Sequence, residues 1–370
     1  MAAWAHSARG LPRTVLTLNP SHPVPPFPPT SPADQSQEWL LLRVAYAAIH
    51  PGDVIGMALM PAIVRSGPAR TAAVPGYDIT AVVEDVWTPS TSSQDEVVQP
   101  RFQKGDKVIA FPPFDHIRTH GIGALQGIVP IPAKYAVKAP EGKSLRESAG
   151  LLLSGCTALQ QVDETGLKSG QRVLVNGASG GVGTYALQIA RETVGREGFV
   201  VAVCSGRNVE MVKGLGADEV LDYTQYADLA GELEKRYGGE KFDAVLDAYG
   251  SQALFSRCAG FLKEDRIYDA ASIGYDGFDF WSVFTAGMTL FWNRVRPKST
   301  WLGGTGRTWI AVSMFDPGVE MMERLVKMFA EGKIRVVVDS EWPFEKVLDA
   351  FDTVIGKHAR GKVIVKVGDD

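Results

Sequence analysis

The chain has 370 residues, 45% hydrophobic and 22% charged, a balance that fits a globular protein with room for two domains. Its net charge of -4 leaves no basic surplus, which argues against a nucleic-acid partner. Cys156, Cys204 and Cys258 are too widely spaced for a disulfide framework or a zinc ligand set. Met1 to Gly10 lacks the apolar run of a signal peptide, so a cytoplasmic protein is expected.

Residues 1–143 read as mostly β. Arg13 to Leu18 alternates like a half-buried strand, and the proline-rich Pro20 to Pro32 must be extended or irregular and reads as a surface loop. Trp39 to Ala47 is the next strand, followed by Ile49-His50-Pro51-Gly52-Asp53. Pro75-Gly76-Tyr77-Asp78 opens a strand from Ile79 to Val86. Thr88 to Pro100, rich in Ser, Thr, Gln and Pro, reads as an inserted loop, and Phe102 to Ala110 as a turn feeding a strand. No repeat of solenoid period is present.

From residue 144 helices and strands alternate. Leu145 to Gln161 is helical in two pieces broken near Gly155. Strands are expected at 172–176, 199–204, 219–222, 242–247 and 266–272, with a sixth at Trp309 to Ser313. Gly216 and Gly238 stand where helix caps belong. This alternation predicts a parallel sheet with helices on both faces. The tail gives a helix from Val319 to Glu331, a Trp342-Pro343-Phe344 turn, a second helix, and a last strand from Lys362 to Val367. Phe280 to Trp292 is uncharged but too short to span a bilayer, so no membrane span is expected; it reads as a buried or pocket-lining helix, with a membrane-surface anchor as the alternative.

The most informative stretch is Arg172 to Gly183. A β-rich run enters the turn Asn176-Gly177-Ala178-Ser179-Gly180-Gly181-Val182-Gly183, and a helical pattern with Val182, Ala186, Ile189 and Thr193 on one face follows at once. A strand, a tight glycine turn and a helix N-terminus hold a dinucleotide pyrophosphate: Gly180 permits close backbone approach and Gly183 close helix–strand packing. Ala178 replaces the first glycine of the usual pattern.

Taken together, Pro51-Gly52-Asp53, Pro75 to Asp78, Phe102 to Val108, Gly155-Cys156-Thr157-Ala158, Gly177 to Gly183, Leu215 to Asp218 and Gly361-Lys362-Val363 resemble the medium-chain dehydrogenase/reductase superfamily in its zinc-free quinone-oxidoreductase branch. The resemblance spans nearly the whole chain. It implies an α/β fold: a Rossmann doubly wound parallel sheet, residues 144–314, set into a GroES-like mostly-β catalytic domain built from residues 1–143 and 315–370. The active site would lie in the cleft between them. Zinc members carry a cysteine near Pro51, a His-Glu pair where Tyr77-Asp78 stand, and a cysteine where Leu153 stands. With none of these kept, no metal is expected. Without a Lewis acid, hydride addition to a quinone or a conjugated C=C is the accessible chemistry.

The second Rossmann strand ends Val203-Cys204-Ser205-Gly206-Arg207-Asn208, without the carboxylate that holds the ribose of NAD. Ser205 and Arg207 suit the 2′-phosphate of NADPH, with Asn208 on the same turn, although Arg207 alone would pass as a surface charge. The resemblance adds Tyr223 at that phosphate, Thr157 near the nicotinamide and Lys362 approaching from the final strand. With Ser179, Gly180, Gly181, Val182 and Gly183 they form the expected cofactor site. His50, replacing the family's asparagine, joins that set; it could instead donate to the acceptor or be a structural histidine. Ile55 stands where many relatives place a tyrosine, and no catalytic acid is identified.

Aromatic residues crowd 275–309, including Tyr275, Phe278, Trp281, Phe284, Trp292 and Trp301. Either Trp281, Phe284 and Trp292 line a large apolar substrate pocket, or the stretch is a homodimer interface. The expected activity is zinc-independent, NADPH-dependent reduction of a small apolar acceptor, a quinone or an α,β-unsaturated carbonyl. The alternatives are a trans-enoyl reductase serving a biosynthetic intermediate and a weakly catalytic NADPH-binding protein.

Overall fold

The structure is a computed structural model that describes residues 1–30, 34–59, 66–89, 100–271, 277, 279–295, 299–312 and 316–369. Most of the expected Thr88 to Pro100 loop, and Tyr275, Phe278 and Ser313, lie outside the described residues.

In chain order, β1 (Ala3–Ala5), α1 (Pro12–Val15) and β2 (Thr17–Asn19) lead into β3 (Trp39–Ile49) and α2 (Pro51–Leu59). Then come β4 (Asp78–Trp87), β5 (Lys107–Ala110), α3 (Phe114–His120), β6 (Ile128–Pro132) and β7 (Ala136–Lys138). Helices α4 (Leu145–Ser148) and α5 (Leu152–Thr165) precede β8 (Arg172–Asn176), α6 (Gly183–Val194), β9 (Phe199–Cys204), α7 (Val209–Lys213) and β10 (Glu219–Asp222). Next are α8 (Leu229–Tyr237), β11 (Phe242–Asp247), α9 (Gln252–Arg257), β12 (Leu262–Ala270), α10 (Phe280–Val295) and β13 (Thr308–Ala311). The chain closes with α11 (Gly318–Ala330), β14 (Val338–Pro343), α12 (Val347–Ile355) and β15 (Lys362–Lys366).

These strands build two large sheets. One is six-stranded and parallel, in the order β10-β9-β8-β11-β12-β13, the doubly wound arrangement whose order reverses between β8 and β11. The other, β14-β15-β3-β4-β5-β7 with β6 also on β3, joins strands from both ends of the chain. It is antiparallel except for the β14/β15 pair. The α/β class is therefore as expected: a Rossmann sheet plus a mostly-β half.

Local chemistry moved several elements. Arg13 to Leu18 is not one strand: Pro12 occupies the first turn of α1, where its fixed φ and missing N–H favour a helix start, and the strand begins at Thr17. The break in the 145–165 helix lies at Ala149 to Leu151, where Gly150 has φ +83°, and not near Gly155. Ser144 caps α4 with a reciprocal Glu147 box. Gly155 is instead a close-packing residue inside α5: a Cβ there would stand 2.6 Å from Leu325 Cδ2 on α11. The strand expected at 266–272 runs from Leu262 to Ala270, with a bulge around the positive-φ residue Asp265. Trp342 and Pro343 end a strand rather than forming a free turn, because β14 pairs in parallel with β15. Helices α2 and α3 carry no strong amphipathic period and went unanticipated.

Gly155→Ala is expected to overpack the α5–α11 contact and lower stability by about 1–3 kcal/mol. A urea unfolding curve with unchanged midpoint would show that Leu325 yields freely.

Candidate active site

The glycine turn sits at the reversal point of the parallel sheet. Gly177 leaves β8 with φ +69°, and Ala178 N donates to Val203 O at 3.0 Å, fixing the turn against β9. A Cβ on Gly183 would stand 2.0 Å from Gly177 O, so only glycine lets α6 start this close to the strand. Ser179, Gly180, Gly181 and Val182 remain partly exposed before the N-terminus of α6, an anion-binding geometry.

The expected 2′-phosphate residues are gathered beside it. Asn208 Nδ2 donates to Ser179 Oγ at 2.9 Å and to Ser205 Oγ at 3.1 Å, linking both serines. Arg207 is exposed and donates to His358 O at 2.9 Å, and Tyr223 is half exposed at the end of β10. Sequence reasoning missed Asp222. Its position opposite Cys204 in the β10/β9 register brings its carboxylate to the Gly206 N–H. Bonds from Thr224 foremost, and from Gln225 and Gly206, hold it below the usual carboxylate range. The residue was visible in Asp222-Tyr223-Thr224, but its cross-strand placement was not.

A second cluster is buried where the two sheets meet. Gly361 N donates to Ser179 O at 2.9 Å, tying the head of β15 to the glycine turn. The next residue, Lys362, is 2% exposed, and its ammonium lies 2.5 Å from His50 Nε2 and 2.8 Å from Ser154 Oγ. A lysine ammonium only donates, so Nε2 accepts and the neutral ring carries its proton on Nδ1, 3.6 Å from Asp53 Oδ2. His50 Nε2 also faces Asp78 Oδ2 at 3.7 Å. Burial, reinforced by the neighbouring ammonium, pushes His50 down to about 3. Burial lowers Lys362 to about 8 despite Asp78 and Asp53. It raises Asp53 to about 7 and raises Asp78 as well.

Both carboxylates also hold helix ends. Asp53 Oδ2 accepts from His50 N at 2.8 Å at the start of α2, and Asp78 Oδ2 accepts from Leu153 N at 3.1 Å at the start of α5. Asp53, Gly56 and Tyr77 border a cavity of about 30 Å³, enough for a water molecule. Thr157, one turn beyond Ser154 on α5, donates to Leu153 O at 2.7 Å, which leaves its oxygen free to accept.

A further buried acid pair lies between α5 and β12. Gln161 Nε2 donates to Asp269 Oδ1 at 3.0 Å, while burial, helped by Glu164, raises Asp269 to about 8. Trp281, Phe284 and Trp292, by contrast, lie on α10 and are 69%, 49% and 43% exposed. Of the expected buried or pocket-lining helix, the buried form is corrected: among its described side chains Asn293 is buried and Leu290 packs on the core below, while the aromatic face is turned to solvent.

Comparison with known proteins places this geometry. The chain is 32% identical to the medium chain reductase pydE of an Acremonium species over 99% of each sequence. It belongs to the medium-chain dehydrogenase/reductase superfamily. The model of the zinc-binding dehydrogenase family matches residues 215–365. The trans-enoyl reductase poxH of Penicillium oxalicum is 28% identical over 100% of this chain and 98% of its own length. Among solved structures, the quinone oxidoreductase from Coxiella burnetii superposes with a TM-score of 0.72 at 20% identity, covering 100% of this chain and 99% of that one. A mycobacterial protein complexed with NADPH gives 0.70 at 20% identity, covering 99% of both chains.

As a medium-chain dehydrogenase/reductase the protein is an oxidoreductase that works with a nicotinamide cofactor on small-molecule acceptors. The family's zinc does not fit these residues. Asp78 is engaged by the α5 N-terminus, Tyr77 and Leu153 offer no soft donor, and the Lys362 ammonium stands at His50 Nε2, where a cation would need a free lone pair. Among the described residues no group of three or more His, Cys, Asp or Glu side chains could hold a metal ion.

Asp269 gives a pH test. Because its native carboxyl stays neutral up to about pH 8, its contribution to stability is full below the unfolded value near 4 and is lost as pH rises through about 8. Urea midpoints of the wild type should fall between pH 5 and 8.5, and Asp269→Asn should flatten that fall. An unchanged slope in the variant would mean that other groups carry it.

Proposed function

We propose that the protein is a zinc-independent, NADPH-dependent reductase of quinones or α,β-unsaturated carbonyl compounds. The observation that carries this reading is the ammonium of Lys362 at His50 Nε2, beneath the glycine turn, in a region where zinc relatives keep metal ligands. An active centre without a Lewis acid suits acceptors that are already electrophilic. The names of similar proteins, quinone oxidoreductases and trans-enoyl reductases, support the same acceptor classes. A trans-enoyl reductase for one biosynthetic intermediate is the narrower form of this reading.

When bound, the nicotinamide supplies the hydride. In this reading the chain's own residues orient it. The amides of Ser179 to Gly183 and the α6 N-terminus take the pyrophosphate, and Thr157 accepts near the nicotinamide end. Ser205, Arg207, Asn208 and Tyr223 take the 2′-phosphate. His50 and Lys362 complete the site from the β-rich half, whose proposed limits are residues 1–143 and 315–370 around a cofactor domain of residues 144–314. A cytoplasmic location fits this reading, and no described helix is long and apolar enough to cross a membrane.

The α10 face supports a second proposal. Trp281, Phe284, Met288, Phe291 and Val295 follow 3-4 spacing, the seam of a helix that packs on another helix. At about 150–250 Å² per whole aromatic side chain, the exposed stripe with Trp292 offers on the order of 700 Å². That is close to the roughly 800 Å² per partner of a standard interface. A homodimer joined through α10 therefore accounts for the stripe better than a pocket wall does. Sedimentation should give a dimer, and Trp281→Lys with Phe291→Lys a monomer with intact kinetics. A monomeric wild type whose acceptor selectivity shifts on these substitutions would return α10 to the pocket.

Oxidation of NADPH in the presence of quinones, alkenals and enoyl thioesters tests the main reading. Turnover of at least one class is expected, with undiminished rate after chelation; loss of activity together with removal of one stoichiometric zinc would refute it. Arg207→Ala should weaken NADPH by about tenfold and leave NADH nearly unchanged, the low end for a charge-assisted bond because Arg207 is exposed. Equal losses for the two cofactors would withdraw the 2′-phosphate assignment.

A further inference from the structure

Hydride addition to a quinone or enone leaves an anion on the acceptor, and one proton must follow. Acceptor, NADPH and a proton give reduced acceptor and NADP⁺. We propose that Lys362 supplies this proton through the hydroxyl of Ser154, with His50 holding the ammonium in place; the inference rests on the reductase reading above.

The geometry converges on this role. The Lys362 ammonium is bound by two neutral acceptors, His50 Nε2 at 2.5 Å and Ser154 Oγ at 2.8 Å; among the described residues no carboxylate is hydrogen-bonded to it, and Asp78 and Asp53 act on it only through space. A cation held by neutral partners in a buried place gives up its proton far more readily than one in a salt bridge. Ser154 is itself buried and lies on α5 just ahead of Thr157. A Cβ built on Gly181, in the glycine turn, would lie 3.6 Å from both Ser154 Oγ and Lys362 Cδ, so the pair underlies the cofactor's own binding loop. Gly150 keeps the space clear, since a Cβ there would stand 2.8 Å from Lys362 Cε.

In the proposed step Lys362 Nζ–H passes to Ser154 Oγ as the Ser154 proton passes to the acceptor anion. The amine is neutral afterwards, and solvent restores its proton between turnovers. Lys362 acts through Ser154 and is in that sense a positioning residue. The groups that act on it are His50 just after β3, Asp53 on α2 and Asp78 at the start of β4, and beside those two acids stand Tyr77 just before β4, Cys156 on α5 and Tyr185 on α6. Burial keeps Tyr77, Cys156 and Tyr185 protonated and His50 neutral near pH 7, so the lysine is the group in this set that carries a transferable proton on a cation.

The test compares wild type, Ser154→Ala and Lys362→Arg, with 9,10-phenanthrenequinone and trans-2-hexenal as acceptors and NADPH affinity measured by fluorescence titration. Wild-type kcat should fall as pH rises past about 8, where Lys362 loses its proton. Ser154→Ala should lower kcat by roughly tenfold or more while leaving KM and NADPH affinity within about threefold. Lys362→Arg should retain NADPH binding but lose kcat, and its profile should be flat above pH 8 because a guanidinium does not titrate there. If Lys362→Arg does not fold, Ser154→Ala decides alone. Wild-type kcat and pH profile in Ser154→Ala would overturn the relay while the reductase reading stands. A wild type that binds NADPH and reduces neither acceptor nor any other in the panel would overturn both.

Discussion

The hydrogen bond from Gly361 N to Ser179 O is the contact that sets the buried lysine of the β-rich half against the glycine turn. It joins the head of β15, near the end of the chain, to the glycine turn of the parallel sheet. Lys362 is thereby carried beneath Gly181, where its side chain meets His50 from β3 and Ser154 from α5. The sharpness of the turn makes this possible: Gly183 packs so near Gly177 O that any side chain would push α6 away from β8. Gly361 is equally constrained, with φ +93° and a would-be Cβ 2.1 Å from Val337 O. Gly183 and Gly361 thus bring one buried cation to the glycine turn.

Burying Lys362, His50, Asp53 and Asp78 together costs several kcal/mol of desolvation per ion, and such groups are weak evidence of a stabilising role. Part of that cost is offset because the two carboxylates accept from the N-termini of α2 and α5, where backbone N–H groups would otherwise lack partners. The remainder is consistent with function, since burial moves Lys362 and Asp53 toward neutrality from opposite sides. The same cluster explains why a zinc ion does not suit this member of the superfamily. Its positions are filled by an ammonium and by acids already engaged with backbone.

Much of the parallel sheet was legible in the sequence because β8, β9, β10 and β11 are short apolar runs separated by glycine-marked turns. The turn from Gly177 to Gly183 could be read for the same reason: backbone need dictates glycine whatever surrounds it. What could not be read depended on partners distant in sequence. Val338 to Pro343 becomes a strand because Lys362 to Lys366 lies beside it. Gly155 resembles a helix breaker until Leu325 is known to press against it. Ser154 carries no motif, and its role emerges from a contact 208 residues away. Asp222 reaches the Gly206 turn through cross-strand register alone. The apolar run of α10 showed that its aromatic residues must face something, but composition could not tell core from surface.

In the proposed binding mode the turn from Ser179 to Gly183, backed by Lys362, receives the pyrophosphate while Ser205, Arg207 and Tyr223 receive a 2′-phosphate. A crystal structure of the NADPH complex tests it most directly. Pyrophosphate oxygens are expected on the amides of Gly180 to Gly183, a phosphate at the Arg207 guanidinium, and the nicotinamide directed toward Thr157 with Lys362 and Ser154 beneath it. A cofactor whose ribose hydroxyls are held by Asp222, with Arg207 still bound to His358 O, would rule this binding mode out.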